Sequence, residues 1–175
     1  MRSWLTATIG RSLRPSGLPG RAGLVLAAAG LCLACWSGPA AAAVDDYIKR
    51  YLADGPIELE LDEQGNARTF TPSELGQGKQ LFEDNCLSCH VGGSTLPQPE
   101  VSLSAQDLAG ATPPRNNIDA LVAFMRNPQT YDGRDANLLC RQVPPSWMPR
   151  ERVEKIAAFI LRASQKAPGW GTKDF

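Results

Sequence analysis

Cys86-Leu87-Ser88-Cys89-His90 is the stretch on which the reading of this chain turns. C-x-x-C-H is the attachment signature of a c-type haem. Two thiols three residues apart fall on one helical turn, where each can add to a vinyl group of the macrocycle to form a thioether. The histidine that follows lies under the iron and supplies the proximal nitrogen. With only 7% aromatic residues, the chain gains from such a group much of the apolar core that its own side chains lack.

Three other chemistries share the motif. A C-x-x-C disulfide oxidoreductase needs a thioredoxin-like βαβ context, and none surrounds residue 86. A structural zinc could draw on Cys86, Cys89, His90 and Cys140, but adjacent Cys89 and His90 point in different directions from a helix and close a tetrahedron poorly. A structural disulfide leaves His90 without a role. Haem is the favoured reading, one per chain and covalently attached, with Cys86 and Cys89 as thioether residues and His90 as proximal ligand.

The segment upstream reads as an address. A basic stretch ends at Arg21, the apolar run Ala22–Trp36 follows, and Ser37–Ala43 offers small residues of the kind cut by a signal peptidase. The apolar run is shorter than the ~20 residues that span a bilayer. Residues 1–43 are therefore expected to be a cleaved export signal, with Val44–Phe175 as the mature protein. Cys32 and Cys35 leave with the signal, so Cys86, Cys89 and Cys140 remain for an oxidising compartment.

The balance of 18 basic and 18 acidic side chains hides an asymmetry, because Arg2, Arg11, Arg14 and Arg21 precede the first acid, Asp45. From Val44 onward 14 basic residues meet 18 acidic ones. No nucleic-acid partner is expected of that balance. His90 is the one histidine of the chain, which excludes chemistry that takes two imidazoles from one chain.

Tyr47–Leu52 is expected as a short helix. Alternation in Ile57–Leu61 and Ala67–Phe70, on either side of Gly65-Asn66, predicts a β-hairpin that must pack on a helical body. Thr71-Pro72-Ser73-Glu74 is a capping box with proline at the first helical position, opening a helix that runs through Leu75, Gly78, Leu81 and Phe82 towards Cys86. Ser104–Asp107 looks like a second, shorter cap. Ile118, Leu121, Val122 and Met125 share one helical face before Pro128, and Val153, Ile156, Ala157, Ile160 and Leu161 stripe a helix over residues 150–162. Trp170 is a packing anchor in an irregular tail. Residues 44–70 thus form an extension with a hairpin, and residues 71–175 the c-type cytochrome domain.

Three side chains compete for the sixth iron position. Met125 belongs to a helical stripe and is assigned to core packing. Met148, just before the last helix, stands where small cytochromes c keep their methionine. Cys140 is a lone thiol that an oxidising compartment tolerates only when buried or metal-bound, and ferric haem with neighbouring Arg141 would draw it towards thiolate.

Cys86–Gly93 (CLSCHVGG), Ala111–Ile118 (ATPPRNNI), Met125–Gly133 (MRNPQTYDG), Gly78–Phe82 and Trp170-Gly171 together resemble the cytochrome c-550 family, the extrinsic, lumenal haem subunits of cyanobacterial photosystem II. The resemblance covers most of the mature chain. It implies a mainly α, monohaem class I cytochrome c-like fold with an N-terminal β-hairpin, residence in the thylakoid lumen, and a peripheral place on photosystem II or beside a lumenal redox partner. The family's distal histidine, shortly after the Tyr-Asp-Gly segment, has no equivalent here. Cys140 stands seven residues past Gly133, as in the c-550-like branch where a cysteine takes that role. The resemblance thus implies Cys140 as distal ligand, with Met148 the alternative, and Arg115 and Asp132 as surface contacts or as braces of their own loops.

A thiolate favours ferric iron and a low potential, whereas a thioether favours a high one. The expected function is accordingly a low-potential cytochrome in photosynthetic electron transport or photosystem II association. A soluble His/Met electron carrier and a redox- or ligand-sensing haem protein are the alternatives. No enzyme activity is expected, for want of a distal acid–base residue.

Overall fold

The computed structural model of the protein describes residues 44–96 and 100–172. The expected export signal and the last three residues of the tail lie outside the described residues.

The chain enters through a π-helical turn, Ile48–Leu52, whose Ile48 and Leu52 are buried. Its start is held by Asp45, whose carboxylate accepts from the backbone N–H groups of Tyr47 (2.8 Å) and Ile48 (3.3 Å) and from Lys79 Nζ (3.0 Å). The expected short helix is thus present, wound more widely than an α-helix.

Strands β1 (Ile57–Glu60) and β2 (Ala67–Phe70) pair antiparallel, with Ile57 opposite Phe70 and Leu59 opposite Arg68. The turn between them is organised by one carboxylate. Asp62 accepts from Gln64 N, Asn66 N and Asn66 Nδ2, at 3.0, 3.1 and 2.7 Å. Leu59 and Phe70 point into the body of the molecule and are buried, which gives this two-stranded sheet the support it lacks alone. Arg68 reaches from β2 to carboxylates on two helices, Glu74 and Glu154.

Helix α1 (Pro72–Asn85) opens with the expected box. Thr71 Oγ1 accepts from Glu74 N at 3.2 Å, and the Glu74 carboxylate accepts from Thr71 N at 2.9 Å. Helices α2 (Ala105–Gly110) and α3 (Ile118–Arg126) are capped by Ser104 and Asn117 in the same i to i+3 manner. Helix α4 (Arg150–Lys166) continues one turn past the stripe read from sequence. Its central face packs on both α1 and α3.

The α1–α4 crossing is set by Gly78. A methyl group at that position would lie 2.0 Å from the Lys155 carbonyl oxygen and 3.1 Å from Phe159 Cβ. The backbones therefore approach as closely as only glycine permits. Around this crossing lies one core, including Ile48, Phe70, Leu75, Ile118, Val153 and Ile156, all essentially without exposure. Among the described residues no helix is long and apolar enough to cross a membrane.

Candidate haem site

Helix α1 ends by delivering the C-x-x-C-H stretch. Cys86 is its C-cap, its N–H bonded to Phe82 O at 2.7 Å. The Cys86 carbonyl accepts from both Cys89 N (3.1 Å) and His90 N (3.0 Å), so the motif closes a loose extra turn. A left-handed glycine pair, Gly92 and Gly93, then reverses the chain.

His90 is oriented from two sides. Its ring stands 6.4 Å from that of Phe82, in a cluster where Phe82, Phe159 and Trp170 meet at 5.5 to 5.7 Å. Its Nδ1 lies 3.2 Å from the Ser94 carbonyl oxygen and 3.1 Å from Thr95 Oγ1. Donation from Nδ1–H to that carbonyl leaves the Nε2 lone pair free, the arrangement by which metal-ligating histidines fix their tautomer. Burial holds the His90 imidazole below its ordinary pKa, partly offset by the Ser94 carbonyl. The ring is therefore neutral at pH 7 and able to ligate.

Trp170, the expected anchor, seals this segment. Its indole N–H donates to Leu103 O at 2.9 Å, and its ring covers Gly93, where a methyl group would lie 2.5 Å from the indole. Gly171 N donates to Gly92 O, and Ser94 Oγ donates to Thr172 O, both at 2.8 Å.

A cavity of about 390 Å³ lies beside His90. Cys89, His90 and Cys140 line it together, with Leu103, Leu108, Leu121 and Phe124 among its apolar walls. Leu138 and Leu139 also line it, yet they stand 92% and 65% exposed. Cys86 is half-buried beside the core and does not line the cavity. Among the described residues, Cys86, Cys89 and Cys140 form no disulfide. Burial pushes the Cys86 thiol up to about 11, helped by the nearby sulfurs of Cys140 and Cys89.

Cys140 is presented by a loop that is built locally. Gln129 bridges Ala136, Thr130 N donates to Asp135 O (2.8 Å), and Asn137 N donates to Pro128 O (2.9 Å). Asn137 Oδ1 then accepts from Leu139 N (3.0 Å) and Cys140 N (3.1 Å), an Asx turn that sets the cysteine. That N-x-x-C spacing was available in the sequence as a signal for how Cys140 is held. Met148 and Met125 are both buried in the core and neither lines the cavity.

Two electrostatic expectations change. Arg141 does not face Cys140, because its guanidinium stacks on Trp147 at 4.2 Å, where an exposed cation and an indole face attract. The cation that acts on the thiol is Arg115, and it works against burial, which on balance raises the Cys140 pKa. Asp132 braces its own loop, whereas Arg115 reaches across to the loop that follows α3. Arg115 Nη2 donates to Gln129 O and Thr130 O, while Asp132 accepts from Thr130 Oγ1 and Arg134 N.

The donor set fits a covalently held haem: a neutral, oriented imidazole, the Cys89 and Cys140 thiols lining the same cavity, Cys86 one turn before, and apolar walls. Among the described residues no three His, Cys, Asp or Glu side chains gather as a bare metal ion would require, so the tetrahedral zinc alternative finds no ligand set.

The family model for the cytochrome c-550 domain matches residues 50–175. The chain belongs to the cytochrome c-550 family. The cytochrome c-550-like protein of Synechococcus sp. (strain JA-3-3Ab) is 54% identical over 148 residues, which cover 82% of this chain and 85% of that one. The photosystem II extrinsic protein V of Gloeobacter violaceus is 48% identical over 171 residues, 94% of this chain and 91% of its own. The crystal structure of the PsbV2 cytochrome from Thermosynechococcus elongatus shares 52% identity and a TM-score of 0.72, covering 74% of this chain and 100% of that one. Cytochrome c549 shares 33% identity and a TM-score of 0.58, covering 65% and 95%. The cytochrome c-550 family consists of electron-transfer haem proteins. The fold is the class I cytochrome c-like helical fold with a hairpin that the sequence predicts.

Proposed function

We propose that this member of the cytochrome c-550 family is an exported monohaem cytochrome with His/Cys axial ligation, working at low potential on the lumenal side of the thylakoid membrane. In this reading Cys86 and Cys89 hold the haem through thioethers, His90 Nε2 is the proximal ligand and Cys140 Sγ the distal one. Bound in that way, the haem supplies a one-electron Fe(III)/Fe(II) couple. The observation that carries the reading is the convergence of Cys89, His90 and Cys140 on one apolar cavity. The core positions of Met125 and Met148 favour Cys140 over either thioether. A thiolate donates charge and stabilises the ferric state, so the resting protein is hard to reduce.

The relative in Gloeobacter violaceus is named as a photosystem II extrinsic protein, and by that likeness we assign this chain a peripheral place on photosystem II. The excess of acidic over basic residues from Val44 onward supports docking on a basic patch, with salt-sensitive association. Residues 1–43 would act as the signal that brings the chain to the lumen.

A low-temperature electron paramagnetic resonance spectrum of the oxidised holoprotein tests the ligand assignment. A compact low-spin signal of the thiolate type, lost in Cys140→Ser, is the expected result. A wide His/Met-type signal that survives in Cys140→Ser and disappears in Met148→Leu would transfer the assignment to Met148. Co-purification with photosystem II particles at low salt, and release at high salt, is the expected behaviour for the docking assignment.

A further inference from the structure

Arg115 is neither part of the attachment motif nor a ligand candidate, yet several elements meet on it. Its backbone N–H donates to Leu108 O at 2.8 Å, which ties it to α2. Its guanidinium lies 3.9 Å from the centre of the Phe124 ring on α3. From the same guanidinium, Nη2 donates to Gln129 O at 3.1 Å and Thr130 O at 2.8 Å. The side chain lines the cavity beside Cys140, and it also lines a second surface cavity of about 470 Å³ with Pro114 and Asn117. Arg115 and Phe124 thus form a partition between the two.

The two carbonyls it holds belong to the loop that presents Cys140. Gln129 and Thr130 pair across that loop with Ala136 and Asp135, and the next residue, Asn137, fixes the Cys140 backbone through its side-chain oxygen. The path from guanidinium to cysteine therefore runs through consecutive hydrogen bonds with no free-standing segment. Among the described residues, the hydrogen bonds of the guanidinium go to carbonyl oxygens and no carboxylate forms an ion pair with it. A half-buried cation so placed keeps its charge available to an anion in the cavity.

We propose that Arg115 is the positioning residue for Cys140: its planar fork, stacked on Phe124, locks the 128–137 loop that presents the cysteine, and its charge offsets that of the thiolate. The proposal rests on the assignment of Cys140 as distal ligand. Lysine is no full substitute, because an ammonium carries the charge without the flat guanidinium face that stacks on the Phe124 ring.

Displacement of the distal ligand by imidazole tests the proposal on the ferric holoprotein. Wild type, Cys140→Ser, Arg115→Met and Arg115→Lys are each titrated optically, with paramagnetic resonance spectra at both ends. Relative to wild type, the half-saturating imidazole concentration is expected to fall about tenfold or more in Arg115→Met, equivalent to about 1.4 kcal/mol. Cys140→Ser should need still less, and Arg115→Lys should lie between wild type and Arg115→Met. The thiolate signal of Arg115→Met should be broadened, a readout that a loss of stability alone would not produce. If Arg115→Met does not yield holoprotein, a half-saturating concentration for Arg115→Lys between those of wild type and Cys140→Ser carries the test. Wild-type affinity and signal in both Arg115 variants, alongside a changed Cys140→Ser, would overturn the proposal and leave the ligand assignment intact. Wild-type behaviour in Cys140→Ser would overturn both. An Arg115 variant with an altered potential but unaltered imidazole affinity would also overturn it, since the charge would then serve another anion.

Discussion

A single sulfur separates two kinds of cytochrome at the distal position. Thiolate and thioether differ by a full charge, and axial ligands tune haem potentials over about 0.8 V. Cys140→Met, provided the Asn137 turn still presents the side chain, is therefore expected to raise the midpoint potential by roughly a few tenths of a volt, read by redox titration. Asn137→Ala removes the acceptor that sets Leu139 N and Cys140 N and should weaken the thiolate signal without touching the sulfur. At this scale the geometry of the C-x-x-C-H turn was legible, because Cys86, Cys89 and His90 are near neighbours closed by the Cys86 carbonyl. Arg115 was not. Its partners are Leu108, Phe124, Gln129 and Thr130, and no local spacing announces that a guanidinium will bridge them. Arg141 misled for the converse reason, since adjacency in sequence to Cys140 placed it against Trp147 instead.

Elements are joined here by glycine contact and by buried charge. Gly78→Ala would drive a methyl group into the Lys155 carbonyl, which belongs to a helix backbone and cannot swing aside. It is expected to cost about 3 kcal/mol of stability, at the upper end for overpacking, measured as a lower denaturant midpoint. Glu154, only 11% exposed at its side chain, holds Arg68 of the hairpin and Arg150 of α4, and Arg150 also reaches Asp119 of α3. Glu154→Gln should cost on the order of 2 kcal/mol, and amide exchange in Ile57–Phe70 should quicken, because the hairpin keeps only the Glu74 partner of Arg68. Hairpin, capping boxes and apolar stripes could be read from sequence because each is a pattern within four or five residues. The extra turn of α4 and the wide turn at Ile48–Leu52 could not, since tertiary packing decides them. Arg162, where the stripe read from sequence ends, donates to Leu52 O and ties α4 to the wide turn.

Over the whole molecule, acid should loosen the fold through the carboxylates at its seams. Burial alone would raise Glu74, but the Thr71 N–H and hydroxyl outweigh it and hold the carboxyl below 4.5. Burial acts the same way on Asp45, and Lys79 with the Ile48 and Tyr47 N–H groups overcomes it, holding the group below 3.8. Groups with depressed folded values contribute stability above their unfolded values and lose it as pH falls through the folded ones. The holoprotein should therefore keep a level denaturant midpoint from pH 7 to about 5 and decline below about 4.5. Glu74→Gln should flatten part of that decline and cost about 1 kcal/mol at pH 7.

Trp170 and its neighbours close over Gly92, Gly93 and Ser94, and Thr172 follows Ser94 by 78 residues. The indole therefore covers the flank of the C-x-x-C-H stretch only once the tail has docked, and the two cysteines and the histidine stay open to solvent until then. On the proposed reading, an exported chain that has not yet folded would offer both thiols for attachment, and Trp170 would close over them afterwards.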